Sequence, residues 1–280
     1  MQPIQIGNLT VGDRTSPLLI AGPCVIESES ETVALAERIA SLPVTARFQF
    51  VFKASYSKDN RSSSTSFRGV GLDEGLRILQ KVKTEVGCPV ISDIHSADEA
   101  TGAAEVLDVL QVPAFMSRQT SLLEAAAKTG RAVNIKKGQF LSPEGAGLAV
   151  DKVRQAGGRN VLLTERGTTF GYHDLVVDFR SFSRMRAFGC PIIFDVTHSL
   201  QRPGGLGDRS GGEPDLAGMM ARAAAAVPCD GFFIETHPEP EKARSDAASM
   251  LPFSELERVL EDTLRVFQVA SEIVAGNTDS

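Results

Sequence analysis

Eight short apolar runs, each bounded by turn residues, most constrain the fold of this 280-residue chain. They lie at 18–21, 48–52, 89–92, 109–112, 133–135, 161–163, 191–194 and 231–234. Their apolar content is nearly continuous, with no strict alternation, as expected of strands buried on both faces in a parallel sheet. Stretches with helical spacing separate them. Ser28, with Glu29 and Glu31, precedes Val33, Leu35, Ala36 and Ile39, a helix start signal; Asp73 and Glu74 precede Leu76, Ile78, Leu79 and Val82. Further helices are predicted over 96–107, 118–128, 143–156, 175–187, 214–226 and 254–272. Eight strand–helix pairs in this length match a (β/α)₈ barrel, whereas a doubly wound sheet needs fewer strands. No linker, low-complexity segment or finer repeat interrupts the pattern. The expectation is one TIM-barrel domain over residues 1–280.

Composition narrows the function classes. With 29 Lys+Arg against 35 Asp+Glu the net charge is -6, which argues against a general nucleic-acid binder. No apolar run approaches the ~20 residues that span a bilayer. The N-terminal residues lack a basic region followed by an apolar one, so no secretion signal is expected. Cys24, Cys88, Cys190 and Cys229 are too scattered for a disulfide framework. These features point to a cytoplasmic protein with reduced thiols and neither a nucleic-acid nor a membrane partner.

In such a barrel the loops after the strands build the active site, and those positions hold two chemical groups. The first is basic: Lys53 ends the second strand, Lys58 and Arg61 lie in its loop, Lys136 and Lys137 end the fifth, and Arg166 follows the sixth. Repeated cations at one rim of an acidic chain imply an anionic ligand, most simply a phosphate. The second could hold a metal. Cys24 follows the first strand, His198 lies just past the seventh, Glu235 ends the eighth and Asp246 lies in the loop beyond. Closing the barrel makes strands seven, eight and one neighbours. Thiolate, imidazole and carboxylates suit a borderline-soft divalent ion and are too soft a set for Mg²⁺. His95, beside Asp93, and His237 are further polar groups expected at this rim, and His173 has the weakest case. The glycine-rich stretch 203–212 lacks the spacing of a P-loop or dinucleotide fingerprint, so no organic cofactor is expected. It reads as a lid.

Several of these segments form a recognisable set. Lys53-Ala-Ser-Tyr-Ser-Lys58-Asp-Asn60-Arg61-Ser62-Ser63, Gln111-Val-Pro-Ala114-Phe-Met-Ser-Arg-Gln-Thr and Asn134-Ile-Lys-Lys-Gly-Gln-Phe stand in order with Glu165-Arg-Gly-Thr-Thr-Phe-Gly-Tyr, Phe194-Asp-Val-Thr-His-Ser-Leu-Gln and Ile234-Glu-Thr-His-Pro-Glu-Pro. Together they closely resemble the signature of the 3-deoxy-D-manno-octulosonate 8-phosphate synthases, over nearly the whole chain. The resemblance implies condensation of phosphoenolpyruvate with D-arabinose 5-phosphate and water, giving the eight-carbon sugar acid phosphate and inorganic phosphate for Kdo and lipopolysaccharide synthesis. It implies a phosphoenolpyruvate site of Lys53, Ser55, Lys58, Gln111, Ala114, Lys136 and Arg166. Asn60, Arg61 and Ser62 match arabinose 5-phosphate contacts, and Asp93 and His95 match positions near the sugar. Asn60, Asp93, Lys136 and His198 are the expected catalytic residues. The family has metal-dependent and metal-independent branches, the latter with Asn where this chain has Cys24. Cys24, His198, Glu235 and Asp246 therefore resemble the metal-dependent branch, with one Zn²⁺, Fe²⁺ or Mn²⁺ per chain. A homotetramer is implied on the same ground.

Two other readings compete. The related synthase that condenses phosphoenolpyruvate with erythrose 4-phosphate shares the barrel and a comparable metal set, but typically carries a Lys-Pro-Arg-Thr-type loop after the second strand, where this chain has Asp-Asn-Arg-Ser. A non-catalytic sugar-phosphate-binding barrel would not need an intact set of strand-end residues.

Overall fold

The computed structural model describes residues 2–59, 67–204 and 211–276. Eight parallel strands close on themselves: β1 (Leu18–Gly22), β2 (Gln49–Lys53), β3 (Val90–Asp93), β4 (Val109–Val112), β5 (Ala132–Lys136), β6 (Val161–Glu165), β7 (Ile192–Asp195) and β8 (Gly231–His237). Each pairs with the next in sequence, and β8 pairs with both β7 and β1, with Gly231 opposite Ile193 and Leu18. The helices between them are α1 (Glu29–Ala40), α2 (Leu72–Val86), α3 (Glu99–Val106), α4 (Thr120–Lys128), α5 (Pro143–Gln155), α6 (Arg180–Arg186) and α7 (Ala217–Ala225), and α8 (Phe253–Gly276) follows β8. The expected (β/α)₈ TIM barrel is the observed architecture. None of the described helices is long and apolar enough to cross a membrane.

Local sequence explains the element starts. Ser28 caps α1: its hydroxyl accepts from Glu31 N at 3.3 Å and donates to the Glu31 carboxylate at 2.6 Å, a side-chain pair across the first turn. Ser142 accepts from Gly145 N at 3.1 Å, and Pro143 follows at the first helical position. Gly22 ends β1 at φ 155°, and a Cβ there would sit 2.0 Å from the Lys53 carbonyl oxygen. Only glycine lets the turn into Cys24 pass so close to β2.

Strand alternation places the site. Leu18, Ile20, Val51, Ile91, Val109, Ala132, Leu162, Ile193 and Phe233 form an apolar layer inside the barrel, while alternate neighbours such as Leu19, Phe52, Leu110 and Leu163 pack against the helices. Two residues farther along, the same inward face turns polar: Lys53 after Val51, Asp93 after Ile91, Gln111 after Val109 and Asn134 after Ala132, then Thr164 after Leu162, Asp195 after Ile193 and Glu235 after Phe233. The barrel therefore has a dry base and a polar top.

The structure corrects two expectations and adds one element. Several strands outlast their apolar runs, most of all β8, which continues through Glu235 to His237 and there pairs with Leu251–Pro252. Glu235 is thus inside the strand, because backbone pairing continues after the inward positions become polar. The helix expected over 175–187 begins at Arg180, since Asp174–Val176 pairs with Thr168–Phe170 in a hairpin and the Asp178 carboxylate accepts from Arg180 N at 3.0 Å. An N-terminal hairpin, Ile4–Ile6 with Leu9–Val11, closes the barrel base by adding Ile4, Ile6 and Val11 to the inner layer.

Candidate active site

A cavity of about 780 Å³ opens at the C-terminal ends of the strands. Of the residues singled out in the sequence, Lys53, Lys58, Asp93, His95, Gln111, Ala114, Lys136, Arg166, His198, Glu235 and Asp246 line it. Cys24 and Ser55 lie behind the wall, against Asp246 and Asp93 respectively. Asn60, Arg61 and Ser62 lie outside the described residues. So do 205–210 of the expected lid; of its flanks, Gln201, Pro203 and Gly204 reach the cavity, and Gln201–Arg202 pairs with Gly211–Gly212.

Other expected rim groups are placed elsewhere. Lys137 points away from the cavity, 3.3 Å from Glu165 Oε1 and donating to the Gly167 carbonyl at 3.2 Å, so it braces the loops after β5 and β6. Side chains of consecutive strand residues face opposite ways, which separates Lys137 from Lys136. His237 Nδ1 accepts from Glu239 N at 3.1 Å within its own loop, and His173 Nδ1 contacts the Pro203 carbonyl at 2.8 Å; neither lines the cavity.

The cations are held by buried partners. Lys53 bonds Glu235 Oε1 at 2.5 Å and the Cys24 carbonyl at 2.8 Å. Lys136 is paired with Asp195 and lies 3.3 Å from the centroid of the Phe233 ring. Burial pulls Lys136 below the usual lysine range even though Asp195 opposes it. Burial alone would raise the Asp93 carboxyl, but Lys58 and Lys53 outweigh it and hold Asp93 below the usual carboxylate range. Arg166 Nη2 donates to Gln201 Oε1 at 3.0 Å, while its buried Nη1 has no hydrogen-bond partner among the described residues. A buried guanidinium N–H without a partner, on a residue that lines the cavity, is a ready anion contact.

On one side of the cavity, donor atoms of Cys24, Glu235 and Asp246 all lie within 4.8 Å of one another. His198 Nε2 is 3.7 Å from both Glu235 Oε2 and Asp246 Oδ2. Its Nδ1 contacts Asp195 at 2.8 Å, which turns the other ring nitrogen toward the cluster. Glu235 Oε2 is buried without a hydrogen-bond partner among the described residues, and Asp246 adopts φ 51°, unusual for a non-glycine residue. Burial, then the Asp246 and Glu235 charges, push the Cys24 thiol well above its usual range, and the thiol donates to Asp246 Oδ2 at 3.0 Å. An orphaned carboxylate oxygen beside a thiol, an imidazole and a second carboxylate fits a borderline-soft divalent cation. Such an ion would invert the local titration and hold Cys24 as thiolate.

The formal charges of the described wall cancel. The described cavity wall carries five cations (Lys53, Lys58, Lys136, Arg166, Arg244) and five carboxylates (Asp59, Asp93, Asp195, Glu235, Asp246). A divalent ion would tip this balanced wall toward anionic ligands. Asp195 was not singled out in the sequence, although its place two residues after the inward Ile193 is a usable signal. Gln139 and Gln201 fall within the recognisable segments without having been singled out, whereas Arg244 lies in a loop with no periodicity, so no such signal exists for it.

The chain matches the DAHP synthetase I family over residues 2–270. It belongs to that family. Among its relatives, the 2-dehydro-3-deoxyphosphooctonate aldolase of Synechococcus sp. is 52% identical over 268 residues, covering 96% of this chain and 94% of the relative. The protein of the same name from Syntrophotalea carbinolica is 47% identical over 277 residues, 99% of each chain. That from Desulfatibacillum aliphaticivorans is 52% identical over 264 residues, 94% of this chain and 97% of the relative. In this member of the DAHP synthetase I family, the strand ends enclose one cavity, with the Cys24, Glu235 and Asp246 group at its side.

Proposed function

We infer that the protein is a 3-deoxy-8-phosphooctulonate synthase, which condenses phosphoenolpyruvate with D-arabinose 5-phosphate and water to give 3-deoxy-D-manno-octulosonate 8-phosphate and inorganic phosphate. The observation that carries this is the convergence of Lys53, Lys58, Lys136 and Arg166 on one cavity walled by the Cys24 cluster. It occurs in a chain about half identical, over almost its full length, to relatives named for this product.

Carbon 3 of phosphoenolpyruvate must attack the sugar aldehyde while water adds at carbon 2, after which phosphate leaves. Both substrates are anionic and repel one another. Lys53, Lys58, Lys136 and Arg166 offset that repulsion and hold phosphoenolpyruvate, with Gln111 and Ala114 completing its site and Ser55, assigned to it by resemblance, behind the wall against Asp93. Asn60, Arg61 and Ser62 are assigned to the sugar phosphate by resemblance, with Asp93 and His95 beside the sugar. Cys24, His198, Glu235 and Asp246 would hold one Zn²⁺, Fe²⁺ or Mn²⁺. When bound, the ion supplies a Lewis acid that polarises the aldehyde or activates the water. Asp195 orients His198 toward it. The four buried, unpaired thiols suit the reducing cytoplasm, and the homotetramer rests on the resemblance.

A coupled assay comparing arabinose 5-phosphate with erythrose 4-phosphate, with and without chelator, tests this. Phosphate release with the five-carbon sugar phosphate, lost on chelation and recovered with Mn²⁺, is expected. Turnover with erythrose 4-phosphate alone would overturn the substrate assignment. Full activity of protein shown metal-free by elemental analysis would overturn the metal assignment and leave the synthase assignment standing.

A further inference from the structure

Inward-facing side chains on four adjacent strands form a directed hydrogen-bond chain beneath the cavity. The Thr164 hydroxyl on β6 donates to Asn134 Oδ1 on β5 at 2.6 Å. Asn134 Nδ2 donates to Gln111 Oε1 on β4 at 2.8 Å. Gln111 Nε2 donates to Asp93 Oδ1 on β3 at 2.7 Å. The other oxygen of Asp93 accepts from Ser55 at 2.7 Å and from Lys58 at 3.4 Å. All six residues are buried, and Thr164 and Asn134 are wholly so. Gln111 and Asp93 line the cavity; Thr164 and Asn134 do not.

The chain has one self-consistent polarity. An ionised Asp93 only accepts, so Gln111 must turn its NH₂ toward it and its oxygen toward Asn134. Asn134 must then present its own NH₂ to Gln111, leaving its oxygen for the Thr164 hydroxyl. Burial excludes the water that would otherwise satisfy a flipped amide, so a reversed link would leave like groups facing each other.

We propose that Thr164 and Asn134 are positioning residues for the reaction: they lock the amide orientation of Gln111, and through it the ionised Asp93 that anchors Lys58 and Ser55 in the phosphoenolpyruvate site. This rests on the substrate assignment made above. A network that merely filled the barrel with satisfied polar groups would affect folding stability alone. A positioning network affects phosphoenolpyruvate handling in folded enzyme.

Steady-state kinetics and thermal melts of the metal-loaded enzyme and three variants separate the two. Thr164→Val keeps the shape and removes the donor. Its kcat/KM for phosphoenolpyruvate should fall about tenfold or more, with KM for arabinose 5-phosphate changed by less than about threefold. Thr164→Ser restores the hydroxyl and should recover most of that loss. Asn134→Asp sets an acceptor against Gln111 Oε1 and should cost more, on the order of a hundredfold. Folded Thr164→Val with unchanged kinetic constants overturns the proposal. If Thr164→Val does not fold, Thr164→Ser decides: a tenfold loss there makes the methyl group, not the hydroxyl, the relevant feature and also overturns it, whereas near-full activity supports the network. Wild-type enzyme inactive on arabinose 5-phosphate would instead refute the substrate assignment.

Discussion

Neighbours decide what each cysteine can do. Burial pushes the thiols of Cys88 up to about 11 and of Cys190 and Cys229 up to about 12. A raised thiol value keeps the proton on, so near neutral pH these three present almost no thiolate, and thiolate forms only as the pH approaches those values. Iodoacetamide should leave them unmodified in native protein at neutral pH and label them once the chain is denatured; mass spectrometry of native peptides carrying the adduct would contradict this. Cys24 is also buried, but it sits with His198, Glu235 and Asp246. Cys24→Ala should weaken metal binding by more than the ~10–100-fold typical of losing an outer-shell partner, read as metal content after dialysis. Cys24→Asn, which by the resemblance installs the residue of the metal-independent branch, should likewise lower metal affinity. Retention of a full equivalent of metal by Cys24→Ala would remove the thiol from the ligand set.

Elements are tied to the site by close contacts that propensity does not register. Gly75 lies within α2, where alanine would ordinarily gain about 1 kcal/mol of helix stability. A Cβ there would sit 2.1 Å from Tyr56 Cβ, and Tyr56, in the loop after β2, is buried, its hydroxyl donating to Glu99 at 2.6 Å. Gly75→Ala should therefore destabilise by about 1–3 kcal/mol despite the gain in propensity. Gly102, in α3, has open space around its Cβ position, so Gly102→Ala should stabilise by about 0.5–1 kcal/mol. Denaturant melts of both variants check the pair, and equal effects would mean that the Tyr56 contact has no energetic weight.

For the whole barrel, stability and chemistry occupy opposite ends. Ile6, almost wholly buried in the inner apolar layer, closes the base, while every described cavity residue lies at the top. Ile6→Ala should cost about 2–5 kcal/mol of stability and leave kcat/KM of folded enzyme nearly unchanged. A matching loss of activity, measured well below the lowered melting temperature, would show that the two ends are coupled.

What could be read along the chain was whatever repeats along it. Buried parallel strands and amphipathic helices impose local periods, so eight units, their order and the cationic strand ends were legible from the residues alone. So was the motif set around Lys53, Lys136, Arg166 and His198. The β8 extension, the hairpin in place of the start of α6 and the N-terminal plug were not, because backbone pairing and turn geometry override local apolar content there. Only closure of the barrel brings Cys24 and Asp246, 222 positions apart, to 3.0 Å, or sets Lys136 inward and Lys137 against Glu165. Strand register and the alternation of side chains around a closed sheet decide those contacts, and neither is written in any single segment.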